Sequence, residues 1–191
     1  MNFIQQEILR RGKILPGNVL KVNSFLNHQL DPSLLNMMAD EWYRLFKDEG
    51  VNKVITIESS GIALALLTAI KLGNLPVVFA KKGESSNLGN AYTSTVYSYT
   101  KNTNYYISIE KQFLNQKDRV IVIDDFLAKG SACLGMIDIL TQANVSIAGI
   151  GIAIEKGFQE GGKLLREKGY RVESLAIIES MNSKDSTIKF K

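Results

Sequence analysis

The segment Val120-Ile121-Val122-Ile123 carries no polar side chain on either face. A strand sends successive side chains to opposite faces, so a run that is apolar on both must be covered on both. A parallel sheet flanked by helices does this, because its crossover connections are themselves helical. Ile147 to Ile154 has the same character, and Val54-Ile55-Thr56-Ile57 and Pro76-Val77-Val78-Phe79-Ala80 are shorter runs of the same kind. Helical patterns separate them. One runs from the turn Glu58-Ser59-Ser60-Gly61 through Leu72 to a stop at Gly73. Another places Cys133, Leu134, Ile137 and Leu140 on one face and ends near Asn144. Strand, turn, helix and strand recur, which predicts an α/β fold with a mostly parallel sheet.

The ends of the chain are less regular. Residues 3–11 fit a short amphipathic helix, Pro16-Gly17 marks a turn, and Val19 to Val22 fits a short extended piece. Asp31-Pro32 is an N-cap acid followed by proline at the first helical position. Leu34, Leu35, Met38, Trp42, Leu45 and Phe46 then repeat at helical spacing until Gly50. Residues 81–92 read as a loop, Thr93–Tyr99 and Tyr105–Ile109 as strands about a turn at 101–104, and 158–168 as a helix weakened by Gly161-Gly162. Val172–Ile178 and Thr187–Phe190 are late strands. The expected organisation is one domain, 1–191, with a core of about 51–170 and a small hood lobe from about 1–50 and 171–191.

Composition narrows the function. With 191 residues, 45% hydrophobic and 22% charged, the chain is neither disordered nor fibrous. Its net charge is +4, and residues 81–120 hold six Lys/Arg against three acids. Such an excess suits a phosphorylated small molecule as well as a polymer. The single Cys133 excludes an internal disulfide and multi-cysteine zinc sites, and the single His28 excludes sites needing two histidines. There is no nucleophile elbow G-x-S-x-G, no signal peptide at the start, and no apolar run near the roughly 20 residues of a membrane span. G-x-x-x-x-G-K-[ST] is absent, and Gly149-Ile150-Gly151 lacks the third glycine of a dinucleotide fingerprint.

Ligands of an open parallel sheet bind beyond the carboxyl ends of its strands. Four turns leave such ends: Glu58-Ser59-Ser60-Gly61, Lys81-Lys82-Gly83, Asp124 to Ser131, and Glu155-Lys156-Gly157-Phe158. The third is the most informative. Two adjacent carboxylates end a buried strand, and five residues later Gly130-Ser131 opens a helix. A helix N-terminus offers unpaired N–H donors to an anion, and Ala128 and Gly130 let backbone approach it closely. Ser131 can cap the helix and donate to an oxygen. Asp124 and Asp125 can accept from paired sugar hydroxyls or hold Mg²⁺ through water. From spacing alone a second reading stands beside this: a strand ended by solvated acids with an N-cap serine.

Val120 to Ser131 resembles the phosphoribosyl-pyrophosphate (PRPP) loop of type I phosphoribosyltransferases. Beyond it, Val19 to Gln29, Thr56 to Ala63, Val78 to Lys82, Asp124 to Ala128 and Gly149 to Lys156 are similar, in order over nearly the whole chain, to bacterial xanthine phosphoribosyltransferases. The resemblance implies the type I fold and transfer of the phosphoribosyl group of PRPP to N9 of xanthine. It places Ala128, Lys129, Gly130, Ser131 and Ala132 around the 5′-phosphate and Asp124 and Asp125 on the ribose hydroxyls. Glu58, Ser59, Ser60 and Gly61 fall on the pyrophosphate side. Lys156 meets the purine 6-oxo group, Phe158 stacks on the ring, and Leu20 and Asn27 bind the base from the hood. It also implies Mg²⁺ carried with PRPP, a homodimer, a cytoplasmic location, and no nucleic-acid or membrane partner. Lys129 stands where Thr or Asn is usual and Gly157 where Ser is expected. The segment 83–92, where the family's mobile loop lies, matches poorly and is a candidate lid.

Alternatives remain at this stage. Lys156 is also readable as a surface lysine, Phe158 as a core residue of the next helix, Asn27 as a turn residue, and His28 and Cys133 as structural. Tyr92, Tyr97, Tyr99, Tyr105 and Tyr106 fit strands better than a stacking platform. The function alternatives are a transferase for hypoxanthine, guanine or adenine, and a non-catalytic PRPP-sensing regulator; the latter is disfavoured because the first 50 residues show no helix-turn-helix pair. A receiver domain is disfavoured because its acids follow the first strand.

Overall fold

The computed structural model describes residues 1–83, 89–98 and 102–191. Asn2 caps α1 (Phe3–Arg11) by accepting from the Gln5 N–H at 3.0 Å, and the Gln5 side chain accepts in return from the Asn2 N–H. β1 (Lys13–Leu15) and β2 (Val19–Lys21) make an antiparallel hairpin whose turn uses Gly17 and Asn18 at positive φ. A π-helical turn, Asn23–Asn27, follows. The Asp31 cap and Pro32 start α2 (Pro32–Phe46), which stops at Phe46 rather than running to Gly50.

The core then alternates: β3 (Lys53–Ile57), α3 (Gly61–Lys71), β4 (Val77–Gly83), the pair β5 (Ala91–Ser98) and β6 (Thr103–Glu110), β7 (Arg119–Leu127), α4 (Ser131–Gln142), β8 (Ser146–Lys156), α5 (Gly161–Glu167), β9 (Val172–Asn182) and β10 (Thr187–Phe190). One eight-stranded sheet has the order β10-β9-β8-β7-β3-β4-β6-β5. Its five middle strands, from β9 to β4, are parallel; β10 and the β5–β6 pair are antiparallel additions. The expected mostly parallel α/β sheet is therefore present. Within the segment 171–191, Val172–Ile178 pairs along β8 as part of this same sheet.

β7 is buried as its composition requires. Ile121 and Ile123 face a core shared with Ile4, Trp42 and Phe46, whereas Val120 and Val122 face Met136, Ile139 and Leu140 of α4. The glycines of β8 explain how α2 comes so close. A Cβ at Gly149 would stand 2.4 Å from the Phe46 ring, and one at Gly151 2.8 Å from Trp42 Nε1. These glycines lie within a strand and seat a helix on it.

Three strands outrun their apolar stretches. β7 continues through Asp124 and Asp125 to Leu127, with Asp124 opposite Ile152 and Leu127 opposite Glu155. β8 includes Glu155 and Lys156, and β4 includes Lys81 to Gly83, paired with β6. These residues were expected in turns. Backbone pairing persists past the point where side-chain burial stops, and polar residues there leave no alternating pattern to read. β1 was not expected, and α5 starts at Gly161 rather than 158. Of the expected 83–92 loop, Ala91 and Tyr92 belong to β5, and 84–88 lie outside the described residues, as do Tyr99 and Lys101.

Gly149→Ala should cost about 1–3 kcal/mol of stability, the usual range for overpacking a well-filled core. Urea unfolding measures it; an unchanged midpoint would show that α2 is not seated against β8 as described.

Candidate active site

The carboxyl ends of β3, β4, β7 and β8 open on one side of the sheet. At the end of β7, the Asp125 N–H donates to Asp124 Oδ1 and the Phe126 N–H to Asp125 Oδ1, both at 3.0 Å. Ala128, Lys129 and Gly130 then form the whole connection to α4. Gly130 is the N-cap, at φ 85°, a left-handed conformation that side chains disfavour. Ser131 is the first helical residue and does not cap, contrary to expectation. The tight turn needs a left-handed residue at the cap, so glycine occupies it and the serine hydroxyl is left for other use. The loop rests on the start of α5. Gly161 N–H donates to the Ala128 carbonyl at 3.0 Å, and a Cβ at Gly161 would stand 2.6 Å from Gly130 N.

Burial and the adjacent Asp125 charge push the Asp124 carboxyl well above the usual carboxylate range, while Lys82 draws it partly back. Gly61 opens α3 directly beneath: a Cβ there would stand 2.2 Å from the buried, unpartnered Thr56 Oγ1 and 3.4 Å from Asp124 Oδ1. The Glu58–Ser59 peptide is cis, and Glu58 Oε1 accepts from the Lys82 N–H at 2.6 Å.

The hood reaches this cluster through one side chain. Asn27 Nδ2 donates to Asp125 Oδ2 at 2.5 Å and to Ser60 Oγ at 3.2 Å. Residues from the hood, the β3–α3 turn and the β7 end thus meet. Lys156 donates to the Asn18 carbonyl of the β1–β2 turn at 3.2 Å, and burial lowers its pKa. Beside the β7–α4 loop and Lys156 lies an open cavity of about 480 Å³, lined by Ala128 to Ala132 and Lys156, by Gly17 and Val19, and by Val96, Tyr97 and Tyr105 from the β5–β6 pair.

Of the expected site residues, Ala128 to Ala132 and Lys156 line that cavity, whereas Asp124, Asp125, Glu58 to Gly61, Asn27, Leu20 and Phe158 do not. Leu20 is 6% exposed, part of the core under the hairpin. Phe158 lies neither in a helix nor in the core; it stands exposed on a neighbouring cavity of about 650 Å³. Sequence reasoning missed Tyr105 and Gln159 as lining residues. Tyr105 sits in a strand as expected and lines the cavity as well, a dual placement that alternation cannot signal.

No family model matches the chain. Full-length relatives do. Xanthine phosphoribosyltransferase of Bifidobacterium adolescentis is 50% identical over 192 residues, covering 100% of both proteins. That of Ligilactobacillus salivarius is 52% identical over 191 residues, covering 100% of this chain and 98% of the relative. The chain belongs to the xanthine phosphoribosyltransferase family. Among solved structures, the Giardia lamblia adenine phosphoribosyltransferase complexed with 9-deazaadenine superimposes with TM-score 0.77 at 24% identity, over 93% of this chain and 98% of that one. The Rhodothermus marinus adenine phosphoribosyltransferase gives TM-score 0.73 at 21% identity, over 90% and 96%. At these identities the likeness speaks for the fold, which is that of the type I phosphoribosyltransferases, as the resemblance implied. Gly157 has a local reason in this phosphoribosyltransferase: a Cβ there would stand 2.6 Å from Ile177 Cγ2 and 3.1 Å from the Ile178 carbonyl.

A raised carboxyl favours its protonated form in the fold, so its contribution to stability is complete below the unfolded pKa and is lost as pH rises through the folded one. Asp124→Asn should therefore raise the thermal midpoint at about pH 8 and leave it nearly unchanged at about pH 4. Equal shifts at both pH values would remove the buried charge pair from the account.

Proposed function

We propose that this chain transfers the 5-phosphoribosyl group of PRPP to N9 of xanthine, giving xanthosine 5′-monophosphate and pyrophosphate, with the residues above in the following roles. The observation that carries this reading is one cavity lined by both the Ala128–Ala132 loop and Lys156, with two carboxylates in the strand that leads into the loop, in a chain half identical to xanthine phosphoribosyltransferases.

The loop Ala128–Ala132 holds the 5′-phosphate. Its small residues bring N–H donors near, α4 directs its positive end there, and Lys129 adds charge. Asp124 and Asp125 accept from the ribose hydroxyls. Glu58, Ser59, Ser60 and Gly61 border the pyrophosphate. Lys156 donates to the purine 6-oxo oxygen and Asn27 contributes from the N-terminal segment, while Leu20 backs the hairpin from the core and Phe158 offers a ring from the neighbouring cavity. The bond from ribose C1 to pyrophosphate breaks as N9 attacks the opposite face, through an oxocarbenium-like transition state, and the imidazole proton of the base passes to the departing pyrophosphate or to water. Such a state asks the protein to position, to complement charge and to exclude water rather than to form covalent bonds.

Mg²⁺ arrives with PRPP in this reading. Among the described residues, no group of three or more His, Cys, Asp or Glu side chains could hold a metal alone. A substrate-chelated ion needs only one or two carboxylates, since Mg²⁺ keeps waters and phosphate oxygens. The Asp124–Asp125 pair, with Asp124 raised by burial and by its neighbour's charge, suits an incoming cation and a diol. The ion offsets the charge of the leaving pyrophosphate.

Lys156 also sorts the purines. An ammonium donates and cannot accept, so it pairs with a 6-oxo group and opposes the 6-amino group of adenine. Xanthine, the most acidic common purine, gains further from the cation. A homodimer belongs to the proposal: Leu66 and Ile70, one turn apart on α3, and Phe79 on β4 leave apolar surface exposed. So does a cytoplasmic location, since a charged sugar phosphate does not cross a bilayer unaided.

Lys156→Ala should raise the xanthine KM by about 10–100-fold, the worth of one charge-assisted hydrogen bond, and leave the PRPP KM within about twofold. Steady-state kinetics with each substrate varied tests this; an unchanged base preference would remove Lys156 from the site. Asp125→Asn should cut turnover at least about tenfold while the far-UV spectrum stays native. Wild-type rates in that variant would contradict the ribose role. Pairwise competition among xanthine, hypoxanthine, guanine and adenine should favour xanthine.

A further inference from the structure

Glu155 is a carboxylate, 3% exposed, that the proposed reaction does not use. It sits one residue before Lys156 in β8. Arg166 of α5 grips it with both terminal nitrogens, Nη1 to Oε1 and Nη2 to Oε2, each at 2.8 Å. Ser174 of β9 donates to Oε2 at 2.5 Å, and Arg166 Nη2 also reaches the Val172 carbonyl at 3.3 Å. Burial alone would raise the carboxyl, but these donors outweigh it and hold Glu155 below the usual range. The helix lies so close that a Cβ at Gly162 would stand 1.9 Å from Oε1.

The residue before Gly162 carries the phosphate loop. Gly161 donates its N–H to the Ala128 carbonyl at 3.0 Å, and a Cβ at Gly161 would stand 2.4 Å from that oxygen. A Cβ on Gly130 would stand 3.1 Å from Gly161 Cα. Two consecutive glycines thus place one turn of helix in backbone contact with the buried ion pair on one side and with the loop on the other. Without side chains between them, a shift of α5 moves the loop with nothing to absorb it.

We propose that Glu155 is a positioning residue for the phosphate loop, acting through Arg166 and α5 to set where Ala128–Gly130 meet the 5′-phosphate of PRPP. The proposal rests on the assigned reaction and adds a residue outside its contacts. Lys156 is held independently, by the register Lys156↔Ile178 and by the Asn18 carbonyl on the hood side. Breaking the pair therefore perturbs the phosphate end more than the base end.

Glu155→Gln keeps the shape, removes the charge and leaves Arg166 without its counter-ion. A displacement on the order of 1 Å can cost about 100-fold, so a partial shift of the loop should raise the PRPP KM about tenfold. The xanthine KM should stay within about twofold. Gly161→Ala, which disturbs the other end of the helix contact without touching the ion pair, should give the same split. Ser174→Ala, which removes one donor, should give it more weakly. Where Glu155→Gln does not fold, the other two variants decide. A merely structural role lowers the active fraction, and hence kcat, without moving one KM apart from the other. Folded variants with wild-type PRPP KM, or with both KM values rising together, would overturn the proposal. Wild-type protein that does not turn over PRPP would overturn the assigned reaction, and this proposal with it.

Discussion

A strand covered by helices on both faces has only its ends available to water, and β7 is such a strand. Val120 to Ile123 are buried between the α2 side and the α4 side, with β3 and β8 hydrogen-bonded on either edge. Polar groups can emerge only at its two ends, Arg119 at the amino end and the residues beyond Ile123 at the carboxyl end. There the chain places two carboxylates, a three-residue loop and the start of a helix. Because β3 and β8 run parallel to β7, their own carboxyl ends deliver Glu58–Gly61 and Lys156 to the same rim. Ligands of such a sheet bind at this rim, where the connections following the parallel strands converge.

Glycine keeps that rim compact. Gly61 lets α3 begin on Thr56 and Asp124, Gly130 makes the left-handed turn into α4, and Gly161 and Gly162 press α5 against the loop and against Glu155. Each removes a methyl group where backbone or carboxylate must pass. The hood needs few contacts to close the arrangement: Asn27 binds Asp125 and Ser60, and Asn18 receives Lys156. The N-terminal segment is therefore joined to the rim through Asn27 and Lys156, two of the proposed site residues.

Much of this was legible in the chain. Val120–Ile123 and Ile147–Ile154 announced buried parallel strands, Asp31-Pro32 announced the start of α2, and Asp124 to Ser131 announced a strand end leading by a short loop into a helix. Local pattern was sufficient because burial and capping act over a few residues. Other features depended on distant partners. Asp124, Glu155 and Lys82 lie in strands because neighbouring backbones pair with them, which no alternation of their own reveals. Gly161-Gly162 read as a weak helix, since only the folded chain brings Ala128, Gly130 and Glu155 against them. Phe158 was also readable as a core residue of the next helix, yet the turn after β8 leaves it exposed on a neighbouring cavity. The Asn27–Asp125 bond spans 98 positions and has no local signature.

The whole scheme depends on the β7–α4 turn gripping a phosphorylated sugar between amides and carboxylates. Calorimetric titration of ribose 5-phosphate, and then of Mg²⁺-loaded PRPP, into the folded protein examines that grip without requiring turnover. Saturable binding of both is expected, with the PRPP complex the tighter because it adds the contacts near Glu58–Gly61. Absence of heat with PRPP over folded protein, confirmed by an unshifted thermal midpoint, would contradict the account.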